Sequence, residues 1–526
     1  MENLETTYKS LISRENLIGL TDEESLRHIG RLTDISLDIQ KIEGLKHAIK
    51  LSEELQERSL SPGQLATSHY FLANAWARLK LLLIKDKDCS LDWEQEETEE
   101  ELIHLRRAFN EEGLIELSNE RACQILTNLG NIMRYVGRFV EAIVYWDRAL
   151  AKIPSFPMAR GNRGLGLTHY AHALYDKGHA EIFLKHAHAD LKNALLFPSL
   201  LHEDAQKGFS RYRDRIESVL SQKHLNTDLD MHTFSLGTSE QEIRYRRWCL
   251  ENRLFLNPLN DLGLYPISAR DILTTPSVVV KSGEGPYYLS YFDQMKQEFV
   301  SARYLYYEGT NEKLAHFSDR EVFLYNTLDY PSYSLSVEKV KAAFRMVYSL
   351  FDKIAYFLNH YMVLSIPETK VTFRTFWYKS QKKKEGLRHN FQKSKNWPLR
   401  GLFWLSKDLY ENKPGFKDCI EPEAKELSGI RNYLEHKYLK LHEGLWSGHS
   451  SNKVEAIWHD NVTFSMHRRE FEAKTLRLIK MARAALIYLS LSIHYEEQRR
   501  LTEQHSKSII PEIQLDVWED EWKVRM

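Results

Sequence analysis

Cysteine is scarce in this chain. The four present (Cys89, Cys123, Cys249 and Cys419) are scattered over 526 residues, and no two form a C-x-x-C pair. That argues against a disulfide framework and a thiolate zinc site, and it fits a reducing compartment. Long apolar runs are missing too: no stretch reaches the ~18 uninterrupted apolar residues of a membrane span. The opening Met1-Glu2-Asn3-Leu4-Glu5 has neither the basic nor the apolar region of a signal peptide. The expected location is the cytoplasm, with no membrane partner. Charge of one sign is also lacking, because 72 Lys and Arg stand against 73 Asp and Glu for a net charge of −1. A nucleic-acid contact would therefore rest on a local patch and not on an overall field.

Proline (14) and glycine (23) are few for this length, and the apolar residues mostly recur at three-and-four spacing, so the fold class reads as all-α. With 43% apolar and 28% charged residues, the chain is an ordinary globular one and long enough for two to four domains. Residues 1–112 read as a helical N-terminal region of degenerate repeats, and 113–225 as clearer repeats. Residues 226–330 read as a helical and irregular connector, 331–505 as a helical bundle, and 506–526 as a tail whose Trp518 and Trp522 would dock on the body or on a second copy. The acidic run Glu94 to Glu101 reads as a solvated loop or a helix start.

The repeat signal is strongest at Leu129-Gly130, Ala142, Trp146, Ala149 and Pro154. These stand at the relative spacings of the tetratricopeptide repeat, with Met133 in place of the usual tyrosine. Small residues allow two antiparallel helices to approach, Trp146 fills space toward the next pair, and Pro154 ends the second helix. A degenerate unit runs from Gly164 to Pro198 with about eleven extra residues. A helical solenoid of this kind implies a concave surface for a protein or peptide ligand. The histidines of the insertion (His172, His179, His186 and His188) read as packed or solvated side chains, not metal ligands. No metal or cofactor is expected.

In the last third, Val340, Phe344, Val347, Phe351, Ile354, Leu358 and Tyr361 mark one face of a helix over about 335–362. Further helices are expected over about 397–411, 421–443 and 467–500, giving a four-helix up-and-down bundle. A helix is also expected at about 288–307, ahead of that bundle.

The third bundle helix carries Arg431-Asn432-Tyr433-Leu434-Glu435-His436. On a helical wheel Leu427, Ile430, Leu434, Tyr438 and Leu441 fall within about 80° and form the core face, and Asn432 and His436 share a roughly opposite face. Arg431 and His436 lie about 140° apart, so one helix does not bring them to one phosphate, whereas a symmetric dimer pairing through this face does. A histidine near its titration point can move the protons of metal-free RNA cleavage, and a guanidinium grips two phosphate oxygens. Asn432 can orient His436 or donate to phosphate. The alternative is an ordinary Arg431–Glu435 ion pair one turn apart. A second Arg-x4-His pair, Arg500 to His505, sits among acids where the apolar stripe ends and reads as structural.

The hexapeptide resembles the signature of the HEPN superfamily of helical ribonucleases. Tyr245 to Leu262, Asp319 to Val322, Leu328 to Pro331 and Phe351 to Asn359 look like a bacterial HEPN family fused to N-terminal tetratricopeptide-like repeats. The resemblance implies a metal-independent endoribonuclease of the toxin or anti-phage type, working as a homodimer and leaving 2′,3′-cyclic phosphate ends. It implies that Arg431, Asn432 and His436 are catalytic. It also matches Asp352 to a polar position near the site, where a capping or salt-bridge role is equally open.

Between Lys379 and Arg400 there are eight Lys or Arg against one acid, interrupted by aromatics. Lys382, Lys383, Lys384, Arg388, Lys393, Lys395 and Trp397 are candidate RNA contacts, positive charge meeting phosphates and rings meeting bases. The bland alternative is a solvated loop whose rings return to the core. The rival function is a non-catalytic tetratricopeptide scaffold or RNA-binding protein that dimerises through its C-terminal bundle. An AMP-adding activity ranks below both, since no paired-Asp nucleotidyltransferase motif is present.

Overall fold

Thr21 starts the first long helix with a capping box: its side chain accepts from the Glu24 N–H, and the Glu24 carboxylate accepts from the Thr21 N–H. That reciprocal pair satisfies two of the donors a helix start leaves open. The computed structural model describes residues 2–523 apart from 87–91, 281, 282, 284, 313, 326, 328, 381–384, 393, 421, 444–462 and 504–514. The chain is all-α, with nineteen α-helices and one two-stranded sheet among the described residues. No described helix is long and apolar enough to cross a membrane.

In the N-terminal half, α1 (Asp22–Asp38), α2 (Ile42–Gln56), α3 (Pro62–Asp86) and α4 (Glu96–Ala108) pack each on the next. They are followed by α5 (Asn119–Tyr135), α6 (Phe139–Lys152), α7 (Pro157–Ala173), α8 (Lys177–Ala194) and α9 (Glu203–Val219). Trp146 of α6 is wholly buried between two glycines: a Cβ on Gly130 of α5 or on Gly166 of α7 would strike its indole. Its Nε1 donates to the Thr127 carbonyl and the Asn131 side chain. Of the inserted histidines, His188 bonds Glu217 and His186 packs on the Tyr265 ring.

After α10 (Glu240–Glu251) come α11 (Tyr287–Asn311), α12 (Leu335–Tyr361), α13 (Trp397–Tyr410), α14 (Leu427–His436) and α15 (Arg468–Glu503). Ser334 caps α12 by accepting from the Val337 N–H, and all seven residues of its expected stripe are buried. Almost every residue of α13 is buried, as befits a helix enclosed on all sides. The four-helix core departs from expectation in one member. It is α11 that lies along α12 and against α15, while α14 is a short helix laid across α12 and α13.

The expected helix over 421–443 stops at His436. Lys437 is fully extended, and Tyr438–His442 form β1, which pairs in parallel with β2 (Thr463–His467). Leu439 and Leu441 turn inward, while Tyr438, expected on the core face, is 66% exposed. Side chains of a strand alternate, so the wheel holds for Leu427, Ile430 and Leu434 and fails beyond them.

One continuous hydrophobic core runs from Ala73 through α5–α7 to the centre of α15, so the two halves are not separate bodies. Asp408 of α13 is buried and receives both terminal nitrogens of Arg106 at 2.9 and 2.8 Å, and it also receives Arg138. Arg138 in turn binds Glu141. The acidic run does not face solvent as a loop: from Glu96 it is the first turns of α4, with Glu99 held by Lys407 and Lys413. The connector is likewise embedded, with Asp261 buried against Arg483 at 2.6 Å.

Gly137 and Gly401 allow a close approach of the halves. Gly137 has φ +88°, and a Cβ there would strike the Trp397 carbonyl. Gly137→Ala is expected to lose about 1–3 kcal/mol from the backbone conformation alone, with the clash added. Urea unfolding would read the loss, and an unchanged midpoint would contradict this packing.

Candidate active site

The wall of the site is a polar stripe on α12. Arg345, Tyr348 and Asp352 stand at i, i+3 and i+7, one above another, and this stripe faces α14. The Arg345 guanidinium donates to the Leu434 carbonyl at 3.0 Å and lies 3.8 Å from the Glu435 carboxylate. It thereby meets a carbonyl that the end of α14 leaves open, and it fixes the turn that carries His436.

Glu435 is thus taken by Arg345. The expected alternative, an Arg431–Glu435 pair, does not form: Arg431 has no acidic partner within ion-pair distance among the described residues. Its guanidinium carbon sits 6.0 Å from the centre of the Tyr348 ring, and one nitrogen reaches the Asn432 side-chain oxygen at 3.5 Å. Tyr410, at the end of α13, meets Tyr348 edge-on with ring centres 6.3 Å apart. Burial pushes the Tyr348 hydroxyl up to about 12, with Tyr410 and the charges of Arg431 and Arg374 acting against it.

Asp352 is half-buried, and its carboxylate accepts the Phe373 N–H at 2.9 Å. Burial raises its pKa, while that bond and Arg431 oppose the rise. It therefore holds the loop after α12 and also borders Arg431.

Asn432 and His436 are exposed. His436 ends α14, where the helix dipole favours a cation, and no hydrogen bond joins it to Arg431 or Asn432 among the described residues. The helical offset that separates Arg431 from His436 in the sequence is present in the folded chain. The decoy pair is accounted for on its arginine side: Arg500 binds Glu497 at 2.9 Å and lies over the Tyr361 ring. His505 lies outside the described residues.

The rings of the basic segment return to the core. Lys382, Lys383, Lys384 and Lys393 lie outside the described residues. Around them the chain doubles back, with Lys379 N–H bonded to Gly386 and Arg388 N–H to Trp377. Phe376, Trp377, Tyr378 and Phe391 are buried; Trp377, Tyr378 and Phe391 pack on Trp93 or Phe403, and Phe376 packs on Trp377. No buried ring can stack a base, so these aromatics belong to the core. Trp397 is half-buried, stacked on Phe139 at 4.4 Å, and its Nε1 donates to the Arg134 carbonyl. Arg388 is half-buried and spends its Nε on the Phe376 carbonyl, so it braces its own turn. Lys395 is exposed and stays available.

Sequence reasoning missed Arg345, Tyr348, Tyr410 and Arg374. The signal for the first two was present as a polar i, i+3, i+7 stripe beside the apolar stripe of α12. Tyr410 and Arg374 enter only through tertiary packing.

Residues 279–496 match the family model described as LA2681-like HEPN. No curated protein matches the chain, and neither does any solved structure.

Proposed function

Through the domain at residues 279–496 this chain belongs to the HEPN superfamily, whose members are generally ribonucleases, and from that premise we propose that it is a metal-independent endoribonuclease. The observation that carries the reading is the state of α14. Arg431 keeps a guanidinium unpaired with any acid among the described residues because Arg345 takes Glu435, and His436 is exposed at the end of the same helix.

In the proposed reaction the ribose 2′-oxygen attacks the adjacent phosphorus. A 2′-O–P bond forms, the P–O5′ bond breaks, and the products are a 2′,3′-cyclic phosphate and a 5′-hydroxyl. His436 carries the proton taken from the 2′-hydroxyl and delivered to the leaving oxygen. Arg431 spans two non-bridging oxygens where negative charge grows. Asn432, beside Arg431, donates to the same phosphate or orients the imidazole.

The roughly 140° between Arg431 and His436 on one helix is met by a homodimer in which each arginine serves the partner subunit's histidine. We read the N-terminal helix pairs as tetratricopeptide-like repeats that sense a protein or peptide ligand, and the whole as a toxin or anti-phage effector. Because the repeats share one core with the bundle, control passes through buried contacts such as those of Asp408 and not through a tether.

The test is cleavage of total RNA by the purified full chain in EDTA, beside His436→Ala. The wild type should leave 2′,3′-cyclic ends, and the variant should be slower by about 10²–10⁴-fold. Equal cutting by both would mark a contaminant and remove this reading. Cutting by neither would favour the non-catalytic, RNA-binding scaffold.

A further inference from the structure

Arg431 is not alone in lacking an acidic partner beside Tyr348. Arg374 is exposed and makes no hydrogen bond or ion pair among the described residues. Its backbone is firmly held. The Thr375 and Phe376 N–H groups both donate to the Thr372 carbonyl, and the Thr372 and Thr375 hydroxyls meet at 2.8 Å. On its other side Phe373 is fully buried against the Phe351 ring, and its N–H is fixed by Asp352.

Asp352 stands one turn along α12 from Tyr348, whose ring lies under Arg431. The anchored turn thus brings Arg374 out on the wall that carries Arg431, and the charges of both arginines act on the Tyr348 hydroxyl. An arginine that only stabilised the fold would be expected to reach an acid or a carbonyl. This one has a rigid base and an unused fork, the arrangement that suits bidentate recognition of phosphate.

We propose that Arg374 is a second phosphate-binding residue of the site, gripping a phosphodiester next to the one Arg431 holds on a single-stranded RNA. The proposal rests on the ribonuclease reading and narrows its substrate. The preferred RNA is unpaired and carries a phosphate beyond the scissile one. Asp352 is then a positioning residue, since its carboxylate fixes the residue before Arg374.

The test is a binding measurement on the full-length His436→Ala protein with a single-stranded RNA of about a dozen nucleotides, repeated over a range of salt. Adding Arg374→Ala should weaken binding about tenfold and lower the slope of log affinity against log salt by about 0.7. Adding Arg374→Lys should restore most of the slope. Lys223→Ala, an exposed change in the N-terminal half, should alter neither quantity. In the cutting assay with His436 present, Arg374→Ala should raise KM far more than it lowers kcat.

Unchanged affinity and slope in Arg374→Ala would overturn the proposal. So would a fall in the salt slope that Arg374→Lys does not recover, since lysine keeps the charge and only a structural role would lose it. The binding arm needs no cleavage and decides on Arg374 even if the wild type fails to cut. Cutting that depends on His436, together with unaltered binding by Arg374→Ala, removes Arg374 alone and leaves the ribonuclease reading in place.

Discussion

Co-expressed Arg431→Ala and His436→Ala chains should regain RNA cutting that neither variant shows alone, to about a quarter of the wild-type rate. In a symmetric dimer with sites shared between subunits, random pairing makes about half the dimers mixed. Each mixed dimer has one site with both an arginine and a histidine and one site with neither. The single variants should each lose about 10²–10⁴-fold, so a quarter stands far above background. The geometry behind this is plain: the two side chains leave α14 in different directions, and nothing in the described chain bridges them. No recovery on co-expression would place both groups in one subunit's site or remove them from catalysis. A sedimentation profile of monomer at every concentration would count equally against shared sites.

The second large effect concerns stability. Asp408→Ala is expected to cost about 3–5 kcal/mol, because it leaves Arg106 and Arg138, both buried, with only Glu141 between them. Burial alone would push the Asp408 carboxyl up, but the two guanidinium groups hold it well below the usual carboxylate range. A carboxyl whose pKa is depressed on folding stabilises the protein above its unfolded value of about 3.9 and loses that contribution as pH falls below it. The wild type should therefore lose stability on acidification below about pH 4, and Asp408→Asn should be weaker at neutrality and flatter in that window. Denaturant unfolding followed by tryptophan fluorescence reads both. Since Trp93 and Trp404 are linked across the same contact, one cooperative transition is expected. Two separated transitions would show that the halves unfold independently.

Much of the C-terminal domain was legible in the sequence. The expected helices at 335–362, 397–411 and 467–500 stand at Leu335–Tyr361, Trp397–Tyr410 and Arg468–Glu503, because a long apolar stripe has few competing explanations. The helix carrying the motif was overextended. Leu434, Tyr438 and Leu441 satisfy a helical face while Leu439 and Leu441 satisfy a strand alternation over the same short run, and the deciding partner, β2, lies beyond residue 460. The helix at 287–311 was foreseen but not its place in the bundle, since periodicity fixes a buried face without naming what covers it.

The site was legible as residue types and opaque as geometry. The motif gave Arg431, Asn432 and His436, and their angular offset followed from the helix. That Arg345 releases Arg431 from Glu435 depends on a contact 90 positions away, and that the aromatics near Lys379 belong to the core depends on Trp93 and Phe403. The acidic run Glu94 to Glu101 was legible as a helix start but not in its partners: Lys407 and Lys413, which hold Glu99, are some 300 residues distant.

The parallel pairing of β1 with β2 has a consequence for the order of synthesis. A parallel ladder cannot close until its crossover is complete, so β1, which takes over directly after His436, has no partner until residues 463–467 leave the ribosome. The helix that follows, Arg468–Glu503, supplies the centre of the core and emerges later still than β2. A nascent chain therefore carries Arg431 and His436 outside the tunnel while the surroundings that place them are still being made. The stretch from Thr463 to Glu503 therefore acts as a timer, and the site reaches its folded geometry only once that stretch has emerged.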